Sequence, residues 1–186
     1  MAIKKTAKKA EKKVVKKPTP RKLKLEDAVI DVPQGGQVIG VLELSPMPPS
    51  GGTHGDWALV NTETSNQLSD DIWVGFSKKS SSIQSELERA VLVINIVDSE
   101  PEKGRWRFAL QGIDVCKDEG NLPYSLESEI LNYGKTLVLY IHAGHLGEQK
   151  INFSFIAAYT DAKTGVATIY ESKDPGIFIG RPRSGP

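Results

Sequence analysis

The sequence predicts an all-β fold: a jelly-roll-like β-sandwich that carries a disordered basic N-terminal arm. Three observations predict it. Short β-branched or aromatic runs recur along residues 25–175, and several alternate in polarity. Clusters of turn-forming residues separate them. The positive charge is gathered at one end. Residues 1–24 hold eleven Lys or Arg against one acid, Glu11, a balance of +10, while the remaining thirteen basic and twenty-two acidic residues stand at −9. The near-neutral total of +1 is a cancellation between two unlike pieces.

Taken in order, the expected strands cover residues 28–32, 37–44, 57–61, 72–76, 90–97, 105–115, 136–142, 150–159 and 166–171. Within 150–159, Ile151, Phe153 and Phe155 share one face while Asn152 and Ser154 take the other. Turns fall at Pro33-Gln34-Gly35-Gly36, at 46–52, at Glu102-Lys103-Gly104 and at Asp161-Ala162-Lys163-Thr164-Gly165, the last a hairpin loop. Two segments read as helical. Residues 82–89 form a short amphipathic turn, and 125–131 have Ser125 as an N-cap and Gly134 as a stop. No alternation of strand and helix suggests a parallel α/β sheet. Eight or nine strands in roughly 160 residues make a sandwich or small barrel, with the jelly roll the leading choice. The chain thus divides into an arm (1–24), a β-sandwich domain (25–175) and a C-terminal tail (176–186). The tail's Ile177, Phe178 and Ile179 are expected to dock on a neighbour.

The arm repeats a lysine pair every four residues: Lys4-Lys5, Lys8-Lys9, Lys12-Lys13 and Lys16-Lys17. With Arg21, Lys22 and Lys24 these are the expected nucleic-acid contacts. No apolar core of a secretory signal follows them, and a Lys-rich run without Ser is unlike a transit peptide. Beyond Met1, only Ile3, Val14 and Val15 are sizeable apolar residues before the prolines, too few for a lipid-binding face. No apolar run in the chain approaches the roughly 20 residues of a membrane span. Like charges four apart repel by a few tenths of a kcal/mol per pair, so the arm is expected to be disordered alone in water. A polyanion would neutralise the repulsion and let residues 4–17 become helical, up to the stiff joint at Pro18 and Pro20. The arm holds no aromatic residue. It is expected to bind phosphate by charge and counterion release, with little sequence preference. The plainer alternative is a solubilising or nuclear-targeting tail.

Catalytic chemistry is not expected in the β-domain. One cysteine, Cys116, allows neither an intrachain disulfide nor a Cys-based zinc cluster. Lys117 beside it would favour the thiolate, but a half-buried strand-end cysteine is the simpler reading. His142-Ala143-Gly144-His145 has a spacing compatible with metal binding, yet further ligands would be needed and a structural role is favoured. Asp56 ends a glycine-rich loop that lacks a nucleophile elbow, a Walker pattern or an HExxH motif. Asp70-Asp71 could hold a divalent cation at a subunit boundary, although a solvated loop explains two adjacent carboxylates as well. No other cofactor is expected. Trp57, Trp73 and Trp106 lie in strand-like runs and are assigned to core or interface packing.

The arm from Lys4 to Lys24, the Pro18-Thr19-Pro20 joint and the strand series over 37–171 together resemble the coat (capsid) proteins of small non-enveloped RNA viruses. The resemblance is one of layout across the whole chain. It implies a non-enzymatic structural protein that self-assembles into a many-copy shell and packages genomic RNA, single-stranded and bound without strong sequence preference, through the arm. It also implies a place in the virion, and in the host cytoplasm during assembly, with no membrane partner. Alternatives are a bacteriophage head or decoration protein, a viral movement protein and a cellular nucleic-acid-binding protein.

Overall fold

Period-two alternation places the apolar side chains of successive strands on shared faces, and those faces build two sheets. The structure is a computed structural model that describes residues 26–49, 54–77, 80–115, 126–142, 149–173 and 176–180. The strands are β1 (Glu26–Val32), β2 (Gln37–Ser45), β3 (His54–Gly55), β4 (Ala58–Asn61), β5 (Leu68–Phe76), β6 (Arg89–Ile96), β7 (Gly104–Val115), β8 (Leu126–Leu131), β9 (Thr136–His142), β10 (Gln149–Asp161), β11 (Ala167–Ser172) and β12 (Gly176–Gly180). A short helix, α1 (Ser82–Leu87), precedes β6.

The first sheet runs β1-β5-β12-β10-β11-β3, with β7 on the opposite edge of β10. Ala157 shows this placement, pairing with Tyr170 of β11 and Phe108 of β7. The second sheet runs β4-β2-β6-β9-β8. Between them lies one core. Ile72, Phe76, Phe153 and Ile177 enter it from the first sheet; Leu44, Leu92, Ile94, Leu137, Leu139 and Ile141 enter from the second, all fully buried. Each such side chain contributes about 1.5–3 kcal/mol of burial against the entropy of ordering the chain. The all-β sandwich expected from the sequence is present. Its wiring includes four parallel pairs, β1–β5, β12–β5, β2–β6 and β3–β11, where two Greek keys would be antiparallel throughout.

Three elements differ from the sequence reading. Residues 126–131, expected as a helix, form strand β8. Leu126, Ser128 and Ile130 are half-buried while Glu127, Glu129 and Leu131 are exposed, a period of two that outweighs the helix-stop signal of Gly134. Residues 176–180, expected in a docking tail, form β12 inside the first sheet. Ile177 and Ile179 are buried in the chain's own core, so the β-domain extends past residue 175. The two-residue strand β3, parallel to β11, has too little sequence to carry a period.

Helix α1 forms where expected. Ser81 and Gln84 make a reciprocal capping box: the Gln84 N–H donates to Ser81 Oγ at 3.4 Å and the Ser81 N–H to Gln84 Oε1 at 2.9 Å. Just beyond the helix Glu88 is fully buried. Its Oε1 accepts from the Gly35 N–H at 3.0 Å and from the Ser80 hydroxyl. Gly35 has φ +63°, which a side chain would strain, and presents its N–H to that carboxylate. Glu88 thereby ties the β1–β2 turn to the helix. Glu88→Ala leaves both donors without this acceptor and is expected to cost about 2–4 kcal/mol, with Glu88→Gln costing less because an acceptor remains. Urea unfolding midpoints of the two variants check this; equal small losses would contradict it.

The expected hairpin loop joins β10 to β11. Asp161 Oδ1 accepts from the Lys163 N–H at 2.9 Å, the Thr164 N–H at 2.8 Å and the Thr164 hydroxyl at 3.0 Å, while Gly165 takes φ +69°. Those donors, Thr164 first, hold the Asp161 carboxyl below its ordinary value of 3.8. A carboxyl whose folded value is depressed adds stability fully present above the unfolded value and lost as pH falls through the folded one. The loop is therefore expected to stay intact at neutral pH and loosen only below about pH 4. An NMR titration should show Asp161 protonating later than an unstructured aspartate.

Candidate functional site

The eleven basic residues expected to contact nucleic acid, from Lys4 to Lys24, lie outside the described residues. The arm joins β1, at one end of the first sheet's strand order, where Glu26 pairs in register with Leu68 of β5.

The other residues weighed from sequence are dispersed. His54 Nε2 lies 3.2 Å from Glu171 Oε2, across the β3–β11 pairing. His142 ends β9, and burial, with the nearby Arg89 charge, lowers its pKa while Glu127 opposes that shift. His145 and Cys116 fall outside the described residues. Asp56 forms an ion pair with Lys173. Asp71 lies 3.7 Å from Lys150 Nζ, and the side chain of Asp70 is outside the described set. Among the described residues, no group of three or more His, Cys, Asp or Glu converges to hold a metal ion. None of their helices is long and apolar enough to cross a membrane.

The tryptophans divide by face. Trp106 is buried and meets Trp57 edge-on at 5.5 Å, Tyr159 at 5.0 Å and Tyr170 at 5.6 Å between centroids. This cluster backs a cleft of about 500 Å³ lined in part by Pro46, Met47, Asp98, Lys103 and Tyr159. The indole N–H of Trp57 donates to the Met47 carbonyl at 3.1 Å and pins one wall. Asp98 accepts from Lys135 Nζ at 2.6 Å and from the backbone N–H of Trp106 at 2.9 Å; Lys103 pairs with Glu100 at 2.6 Å. The cleft's charges are thus matched within the protein.

Trp73 points outward from the first sheet. It is 47% exposed and stacks on Phe178, centroids 4.2 Å apart and planes within 6°. Register explains the stack: Val29, Trp73, Phe178 and Lys150 stand side by side on β1, β5, β12 and β10. Lys150 Nζ lies 4.7 Å from the Phe178 ring centroid while reaching Asp71. A row of aliphatic, aromatic and cationic side chains therefore crosses this outer face. Of the tryptophans assigned to core or interface packing, Trp57 and Trp106 pack at the core, and Trp73 stacks on Phe178 at the surface.

No curated protein matches the sequence. Residues 25–181 match the family model of the DP-EP family. That span holds every described strand and leaves out residues 1–24, which carry the +10 balance. On a match covering most of its length, the chain belongs to the DP-EP family.

Proposed function

We propose that this is a non-enzymatic structural protein that associates with copies of itself and binds nucleic acid through residues 1–24. In its specific form it is the coat protein of a small non-enveloped RNA virus, found in the virion and, during assembly, in the host cytoplasm. The observation that carries the reading is the partition of charge: +10 in residues 1–24 and −9 in the remainder. A polyanion is attracted to the arm and repelled by the sandwich, so the arm alone is the nucleic-acid element. Lysines without aromatics among them neutralise phosphates and read no bases, as packaging of a long single-stranded RNA requires. A rigid sandwich joined to such an arm can repeat through symmetric contacts while each copy adds neutralising charge.

The test is to express the full chain alone and view it by electron microscopy after nuclease treatment. Uniform particles tens of nanometres wide that protect RNA are the expected result. A clean small species that binds RNA without protecting it would leave a cellular nucleic-acid-binding protein in its place.

A further inference from the structure

Strand β1 ends the first sheet's order, and one of its edges has no strand beside it among the described residues. Strand β2 has an open stretch as well. On the side away from β6, β4 pairs only with residues 42–45, so residues 37–41 have no described strand there. A groove of about 260 Å³ lies between the two open edges. The sheets close on each other at Gly40, where a Cβ would lie 3.1 Å from Ile30 Cδ1. Val29, Ile39 and Val41 line the groove and are 61%, 67% and 41% exposed. Of the described residues that line it, only Asp31 and Glu63 are charged. Neither carboxylate has a cationic partner among the described residues. The described lining holds no aromatic ring to stack a base, and its charge has the wrong sign for phosphate. The volume is also below the roughly 300–1,000 Å³ of small-molecule pockets. These features suit a cationic side chain with an aliphatic stem.

We infer that this groove seats the chain's own lysine arm when no nucleic acid is bound, an autoinhibitory contact that RNA must displace. Two observations single out the arm. The first is charge. A lysine stem lies along aliphatic side chains while its ammonium reaches a carboxylate, which is what Val29, Ile39 and Val41 offer beside Asp31 and Glu63. The arm stands at +10 and the rest of the chain at −9, so the attraction extends beyond two pairs. The second is attachment. Residue 25 leads directly into β1, and β1 is one wall of the groove. A chain doubling back beside β1 needs a turn of about four residues and a return leg matching the stretch from Glu26 to Asp31. That brings Lys16-Lys17 level with Asp31. The covalent link makes the contact intramolecular, at an effective concentration on the order of millimolar, where weak ion pairs suffice. The docking itself needs no RNA; its action as a brake rests on the proposed role of the arm in binding nucleic acid.

The experiment compares the full-length chain with Asp31→Asn/Glu63→Gln and with a control of equal charge, Glu102→Gln/Glu127→Gln. The control sites are exposed and do not line the groove. Trypsin cleavage between Lys12 and Lys17 is timed without RNA, at low salt, over a range of protein concentrations. The groove variant should be cut about threefold to tenfold faster than the parent, the size expected from losing two exposed ion pairs, and the control at the parent's rate. Its melting temperature should stay near the parent's, because Asp31 and Glu63 are exposed. Carbodiimide coupling of the parent, read by mass spectrometry, should join Lys16 or Lys17 to Asp31, and high salt should suppress the link. The groove variant should also bind a labelled RNA more tightly than the control by the same factor. If groove variant and control are cut at equal rates and no such link forms, the inference falls while RNA binding by the arm stands. A parent that binds no RNA overturns the brake together with the proposed function, whereas slowed cleavage and the Asp31 link would still establish the docking. Protection that grows with protein concentration would assign the groove to another copy's arm and overturn the inference.

Discussion

Removing residues 1–24 is expected to abolish the steep salt dependence of RNA binding. For single strands, log affinity falls with log salt by about 0.7 per phosphate neutralised. If all ten excess charges are engaged, the slope is about −7, a loss of roughly 10⁴ in affinity between 50 and 200 mM salt. The truncated chain, at −9, should show almost no slope because it has little net attraction left. Changing one lysine, as in Lys8→Ala, should lower the slope by about 0.7 and leave binding intact. Fluorescence anisotropy with a labelled RNA across a salt series measures both. Complete loss of binding in Lys8→Ala would indicate specific recognition, and an unchanged slope in the truncated chain would move the RNA site onto the sandwich.

Phe153→Ala should be the most damaging single core change, at about 3–5 kcal/mol. Phe153 is fully buried and meets Phe155 edge-to-face at 5.1 Å. It sits on β10, the strand that pairs with β7, β11 and β12, so the cavity opens where the first sheet is joined. Domains of this kind have about 5–15 kcal/mol in total; the variant should lose a large part of that and unfold at much lower urea. Ile169→Ala, at an exposed site on β11, should fall within about 0.5 kcal/mol of the parent. Similar midpoints for the two variants would mean that the core is not where the buried side chains place it.

The period-two signal was legible wherever one face of a strand is polar. Ile151, Phe153 and Phe155 are buried as the alternation requires, and the Asp161–Gly165 turn has the residues its hydrogen bonds need. The signal failed where other local signals competed. In β8 a helix-like start and stop hid the alternation of Leu126, Ser128 and Ile130. In β12 a position near the end of the chain suggested a tail, although Ile177 and Ile179 already alternate around Phe178. The arm's charge needed no fold to be read, because it depends on composition alone.

Strand β12 lies between β5 and β10, although β5 is complete by Phe76 and β12 ends at Gly180. This order has a consequence for biosynthesis. The hundred or so residues between them take roughly 5–20 s to translate at ordinary rates. Throughout that interval the edge of β5 that β12 will occupy has no native partner, and the apolar side chains of Ile72, Val74 and Phe76 lack their complete setting. Nascent chains on neighbouring ribosomes of one message are thus exposed to pairing with each other through an open strand edge. A protein made in many copies from one message would rely on holding factors, or on slow initiation that spaces its ribosomes, until Gly180 has emerged.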